Sequence, residues 1–117
     1  MASGQLIQQT RKFEHWYLID AEAAATNNGV WIDSGAFDTG SIDVVISNTA
    51  TVQIRGSDAP TRPADTAHGN QIGTDITASS IYSIQQPPRW LKARVSAYTN
   101  GQVDVWALLR FAHGIGS

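Results

Sequence analysis

From Arg89 to Phe111 the sequence alternates with period two. Leu91, Ala93, Val95 and Ala97 fall on one side and Trp90, Lys92, Arg94, Ser96 and Tyr98 on the other. Beyond Thr99-Asn100-Gly101 the stripe resumes as Val103, Val105, Ala107, Leu109 and Phe111. Such alternation belongs to strands with one buried face, because successive side chains of an extended chain point to opposite sides. A two-residue Asn100-Gly101 turn would set the apolar stripe of one strand beside the polar stripe of the other. A three-residue loop with left-handed Gly101 aligns both stripes. The expected unit is therefore a hairpin with Trp106 opposite Arg94 on its outer side, within cation–π reach.

The rest of the chain follows the same grammar. β-branched and aromatic runs, cut by Gly, Asn, Asp and Ser, predict strands over Phe13 to Asp20, Val30 to Asp33, Ser41 to Ser47, Thr51 to Gly56, Gln71 to Ile76 and Ser80 to Ile84, besides Arg89 to Tyr98 and Val103 to Phe111. Ala21 to Ala25 is too short for a free-standing helix and runs into the turn cluster Thr26-Asn27-Asn28-Gly29. The expected fold is all-β, an antiparallel β-sandwich of jelly-roll or immunoglobulin-like type. Residues 1–12, polar apart from Leu6 and Ile7, read as an extended N-terminal arm, and 13–117 as a single domain. Between Gly56 and Asn70 lies a Pro-containing loop long enough to point to function or an intersubunit contact.

Composition narrows the chemistry. At 117 residues the chain can bury a core without staples, and it has no cysteine, so disulfide frameworks, thiolate catalysis and Cys-ligated zinc are excluded. The net charge of −2 gives no polybasic footprint for nucleic acid or an anionic membrane, and no apolar run approaches bilayer-spanning length. His15, His68 and His113 are too scattered to form a metal-ligand pair, and no glycine-rich phosphate loop occurs, so no metal or cofactor is expected.

Two constellations have the residue types of a catalytic site, and each also has a structural explanation. Phe37-Asp38-Thr39-Gly40-Ser41 looks like the active-site loop of aspartic proteases, with Asp33-Ser34-Gly35 as a near-copy. The second hydrophobic-hydrophobic-Gly motif and the glycine-rich flap of that family are missing, and Asp-Thr-Gly serves equally as a turn. Ser57, Asp58, Asp65 and His68 share one loop, but no Gly-x-Ser-x-Gly elbow presents the serine. The chain is expected not to be an enzyme.

Val30-Trp31-Ile32-Asp33-Ser34-Gly35, Gly40-Ser41-Ile42-Asp43-Val44, Val52-Gln53-Ile54-Arg55-Gly56-Ser57 and Pro87-Pro88-Arg89-Trp90-Leu91-Lys92-Ala93-Arg94-Val95 together form a pattern over Gly29 to Phe111. It resembles the capsid decoration, or cement, proteins of tailed bacteriophages. The resemblance implies a virion structural protein, made in the host cytoplasm, that binds the outer capsid as a homotrimer and clamps neighbouring major capsid subunits. The candidate contacts are Leu6, Ile7, Arg11 and Lys12 in the arm, Asp58, Arg62 and His68 in the loop, and Trp90, Arg94 and Trp106 on the outer sheet face. Trp16 and Trp31, among apolar neighbours, are expected in the core. The alternative is a carbohydrate- or receptor-binding β-sandwich of a phage tail or baseplate, in which exposed aromatic rings stack on sugars.

Overall fold

A computed structural model describes residues 4–9, 13–22 and 26–111. Nine strands follow in order: β1 (Gln5–Gln9), β2 (Phe13–Glu22), β3 (Ile32–Asp33), β4 (Thr39–Ile46), β5 (Thr49–Ser57), β6 (Asn70–Ile76), β7 (Ser80–Gln85), β8 (Trp90–Asn100) and β9 (Val103–Arg110). They form two antiparallel sheets, ordered β1-β2-β9-β4-β7 (sheet A) and β3-β8-β5-β6 (sheet B). The eight strands from β2 onward pair as a folded ribbon, β5 with β6, β4 with β7, β3 with β8 and β2 with β9. Rolling that ribbon brings β4 beside β9 and β5 beside β8, which is the jelly-roll solution. The β-sandwich read from the sequence is thus found, and its topology is settled.

The alternating stripes fill the space between the sheets. Ile42 and Val44 of β4, Val52 and Ile54 of β5, Leu91, Ala93 and Val95 of β8, and Val103, Val105, Ala107 and Leu109 of β9 are all buried in one cluster. Burying such side chains contributes roughly 1.5–3 kcal/mol each for the larger ones.

The C-terminal hairpin is not formed. β8 and β9 lie in different sheets, and residues between Asn100 and Val103 turn the corner from one to the other. Both apolar stripes face the core because they look at each other across the sandwich, an arrangement that satisfies the same alternation without pairing the strands. A parallel corner, Ser47-Asn48 between β4 and β5, lies against it: Ser47 N–H donates to Gln102 O at 3.0 Å, and Gln102 N–H to Ser47 Oγ at 2.7 Å. Gly101 does adopt a positive φ, 93°, but at this corner.

Register irregularities modify the stripe. Thr51 pairs with Ala97 and Val52 with Val95, so Ser96 is the extra residue of a bulge. Parity then flips: Ala97 is exposed, whereas Tyr98, opposite Ala50, packs against the core. At the other end of the chain, Gln5–Gln9, within the extended arm read from the sequence, forms an edge strand against β2, with Leu6 opposite Trp16.

Candidate functional site

The two outer faces differ. On sheet B the outward side chains of β8 are covered by the Asp58–Gly69 connection, which folds back over the sheet. Trp90 Nε1 donates to Ala59 O at 3.0 Å, Trp31 Nε1 to Ala64 O at 2.9 Å, and Lys92 Nζ to Asp65 O and Ala67 O at 2.8 and 2.7 Å. The Lys92 ammonium also lies 4.8 Å from the centre of the Trp31 ring. Asp58 fixes the start of the loop by accepting the Arg89 N–H at 3.0 Å. Arg62 pairs with Asp65 at 2.9 Å, both half-exposed, so this ion pair adds little to stability.

Trp90, expected on an open face, is therefore buried, and Trp31 is buried beneath the loop rather than in the core between the sheets. Period two separates the faces of a strand but does not say what a remote segment lays over the outer one. Trp16 is half-buried and packs against the core. Burial pushes the Lys92 ammonium down to about 8, opposed by the attraction of Asp65 and assisted by Arg94 and Arg55.

Sheet A has no such cover among the described residues. One row across its outer face reads Tyr17, Trp106, Asp43 and Ile81 on β2, β9, β4 and β7, and the next His15, Leu108, Ser41 and Ser83. Tyr17 and Trp106 pack with ring centres 5.6 Å apart. Ile81 is 68% exposed, and Val45 on the same face is also exposed. His15, Ser41, Asp43, Ile81, Trp106 and Leu108 line a shallow depression of about 340 Å³. Trp106 is thus a surface aromatic, as expected, but its ring partner is Tyr17. Arg94 is on the other sheet, donating from Nη1 to Gln53 Oε1 at 3.1 Å, so the expected cation–π pair does not exist.

Leu6 and Ile7 are exposed on β1, in register between the two sheet A rows, since Gln5 pairs with Tyr17 and Gln8 with His15. Arg11 and Lys12 lie outside the described residues. Arg94 and His68 are brought together on sheet B, where His68 is held below the usual histidine range by burial and then by Arg94, Lys92 and Arg55. Tyr17, Ile81 and Leu108 were not singled out from the sequence, although the alternation of Val103 to Phe111 puts Leu108 on the side of Trp106, away from the apolar stripe.

The catalytic strings take structural parts. Gly40 is extended within β4, without the positive φ a glycine turn would show, and its α-carbon faces Leu109 so closely that an added Cβ would meet Leu109 Cδ2 at 2.9 Å. Asp38 uses its N–H on Arg110 O and its carbonyl on the Gln86 N–H, fixing the approach to the strand. In the long loop, Ser57 Oγ accepts from Ala59 N–H, Asp58 from the Arg89 N–H and Asp65 from Arg62, and His68 Nδ1 is buried with no hydrogen-bond partner. These groups do not form a nucleophile, base and orienter in sequence. Among the described residues no group of three His, Cys, Asp or Glu is placed to hold a metal ion.

A second depression, about 490 Å³, opens at the sheet edges between Ser57, Asp58, Asn70, Gln85, Gln86 and Pro88. Gln86 there adopts φ 50°, a left-handed conformation uncommon for a residue with a side chain. The amide-rich lining suits hydroxyl recognition, but it holds no aromatic ring on which a sugar could stack.

No family model matches the chain, and no curated protein matches it. Among solved structures, its fold is similar to that of the SPBc2 prophage-derived protein YomS, with a TM-score of 0.67 over 89% of this chain and 98% of that one, at 11% sequence identity. The likeness extends over nearly the whole of both chains and is one of fold.

Proposed function

We propose that the chain is a non-enzymatic structural protein of a bacteriophage particle that binds the outer capsid surface and stabilises contacts between major capsid subunits. The observation that carries this reading is the open outer face of sheet A, where Tyr17, Trp106, Leu108 and Ile81 form an aromatic and aliphatic row flanked by His15, Asp43 and Ser41. Aromatic anchors inside a polar rim are what a protein interface uses, and sheet B, where the loop covers Trp31, Trp90 and Lys92, offers no comparable row. The fold shared with a prophage-derived protein supports a phage origin, and jelly rolls serve in virion shells and in lectins alike. A homotrimer on the capsid lattice would multiply three modest contacts into firm attachment.

Light scattering at several concentrations and co-sedimentation with intact capsids of the parent phage test this together. The expected result is a stable species of three chain masses that sediments with capsids, with retention abolished by the double change Trp106→Ser and Ile81→Asp. A monomer that ignores capsids but is retained on immobilised glycans would transfer the reading to a carbohydrate-binding module.

A further inference from the structure

The outer face of sheet B carries four basic side chains: Arg55 on β5, Lys92 and Arg94 on β8, and His68 from the loop. Register sets Arg55 opposite Lys92 and Gln53 opposite Arg94. Lys92 is engaged by two loop carbonyls, but the two arginines share a single neutral acceptor. Arg55 donates to Gln53 Oε1 from Nε at 3.1 Å and from Nη2 at 2.7 Å, and Arg94 donates to the same oxygen from Nη1 at 3.1 Å. Among the described residues neither guanidinium forms an ion pair with a carboxylate. Arg94 Nε and His68 Nδ1 are buried without hydrogen-bond partners. Asp75 accepts from Gln53 Nε2 at 3.0 Å and from Gln71 Nε2 at 2.9 Å, and it lies close enough to Arg55 to feel its charge without pairing with it.

Two like charges converging on one amide oxygen are under-satisfied. A charge-assisted bond to a carboxylate is roughly twice as strong as one to a neutral carbonyl, and a negative charge would offset the repulsion between the guanidiniums. Gln53 Oε1 marks the point at which both forks aim.

We propose that Arg55 and Arg94 form a receptor for a carboxylate presented by an acidic side chain of a protein partner, which docks on the outer face of sheet B beside the loop. This rests on reading the chain as a protein-binding module and gives it a second contact, of different chemistry from the apolar row on sheet A. A planar carboxylate fits the guanidinium fork. A nucleic-acid backbone would require a run of cations, whereas this face offers a single pair of arginines and the whole chain carries −2.

The test is an NMR titration of the full chain with a blocked tetraglutamate peptide, following the Nε–H signals of the arginines, with tetraglutamine and inorganic phosphate in parallel. Arg55 and Arg94 signals are expected to move saturably with tetraglutamate and not with tetraglutamine, and Arg94→Gln to weaken the response by about tenfold or more, the scale of one charge-assisted contact. A second variant, Gln53→Glu combined with Asp75→Asn, places a carboxylate where the forks meet and should abolish the response. No movement with tetraglutamate, an unchanged response in either variant, or saturation by phosphate at lower concentration than by peptide would overturn the assignment. Capsid co-sedimentation is expected to depend on Trp106 and Ile81 instead, so loss of either activity can be told from loss of the other.

Discussion

Lys92 occupies an outward position on β8, and its ammonium is nonetheless sealed from water by the loop that crosses it. Taking a charge out of water costs several kcal/mol, offset here by two carbonyls and the face of Trp31. The balance is incomplete, since its pKa falls from 10.5 to about 8. Below pH 8 folded and unfolded chains both hold the proton, and the cost of sealing the charge is fully present. Between 8 and 10.5 the folded form gives up its proton first, so the unfolded chain binds more protons and stability rises with pH. Relative to Lys92→Met, the native chain should therefore gain about 1–2 kcal/mol in urea unfolding between pH 7 and pH 9.5. A gap that stays constant over this range would show that the ammonium is not titrating there.

At the scale of elements, the two stacked corners decide how strands are distributed between sheets. Gly101, at φ 93°, has no room for a side chain, since a Cβ would meet Asn48 Cβ at 2.6 Å and Asn48 N at 2.9 Å. Gly73, at φ 77°, has open space around it. Gly101→Ala should cost about 2 kcal/mol or more and Gly73→Ala about 1 kcal/mol, as measured by chemical denaturation; equal losses would mean that backbone strain alone matters and the corner packing does not. The elements themselves were largely legible in the sequence, because β-branched runs and turn clusters mark strands locally. Ser41 to Ser47, for example, is found as Thr39–Ile46, and Gln71 to Ile76 as Asn70–Ile76. Pairing was not legible, since in-phase stripes on β8 and β9 fit a hairpin and a corner equally well. Nor was the Ser96 bulge, which turned Ala97 outward, or the strand Gln5–Gln9, whose attachment to β2 is carried by backbone pairing. For the site, Arg94 and Trp106 were placed on outer faces from alternation alone, whereas Arg55 and Ile81 passed unremarked and Trp90 was hidden by a segment about thirty residues away.

For the molecule as a whole, the rolled ribbon puts the end of the described chain at the centre of both layers: β8 lies between β3 and β5, and β9 between β2 and β4. Neither sheet has a continuous middle without them. A chain stopped after Pro88 should show no dispersed amide spectrum and be digested rapidly by protease, whereas removal of β1, an edge strand, should leave the sandwich folded. A folded Pro88-terminated chain would mean that the first seven strands close a core by themselves. Contacts this distant in sequence also slow folding and leave edges uncovered while they are awaited. Synthesis feels the same constraint: β8 and β9 are the last of the described strands, so neither layer can close until both have left the ribosome. A message that breaks or a ribosome that stalls yields an unfolded polypeptide, open to proteases, rather than a weakened copy of the protein. The order of strands thus acts as a check on translation, since only a chain that has reached β9 can close both layers.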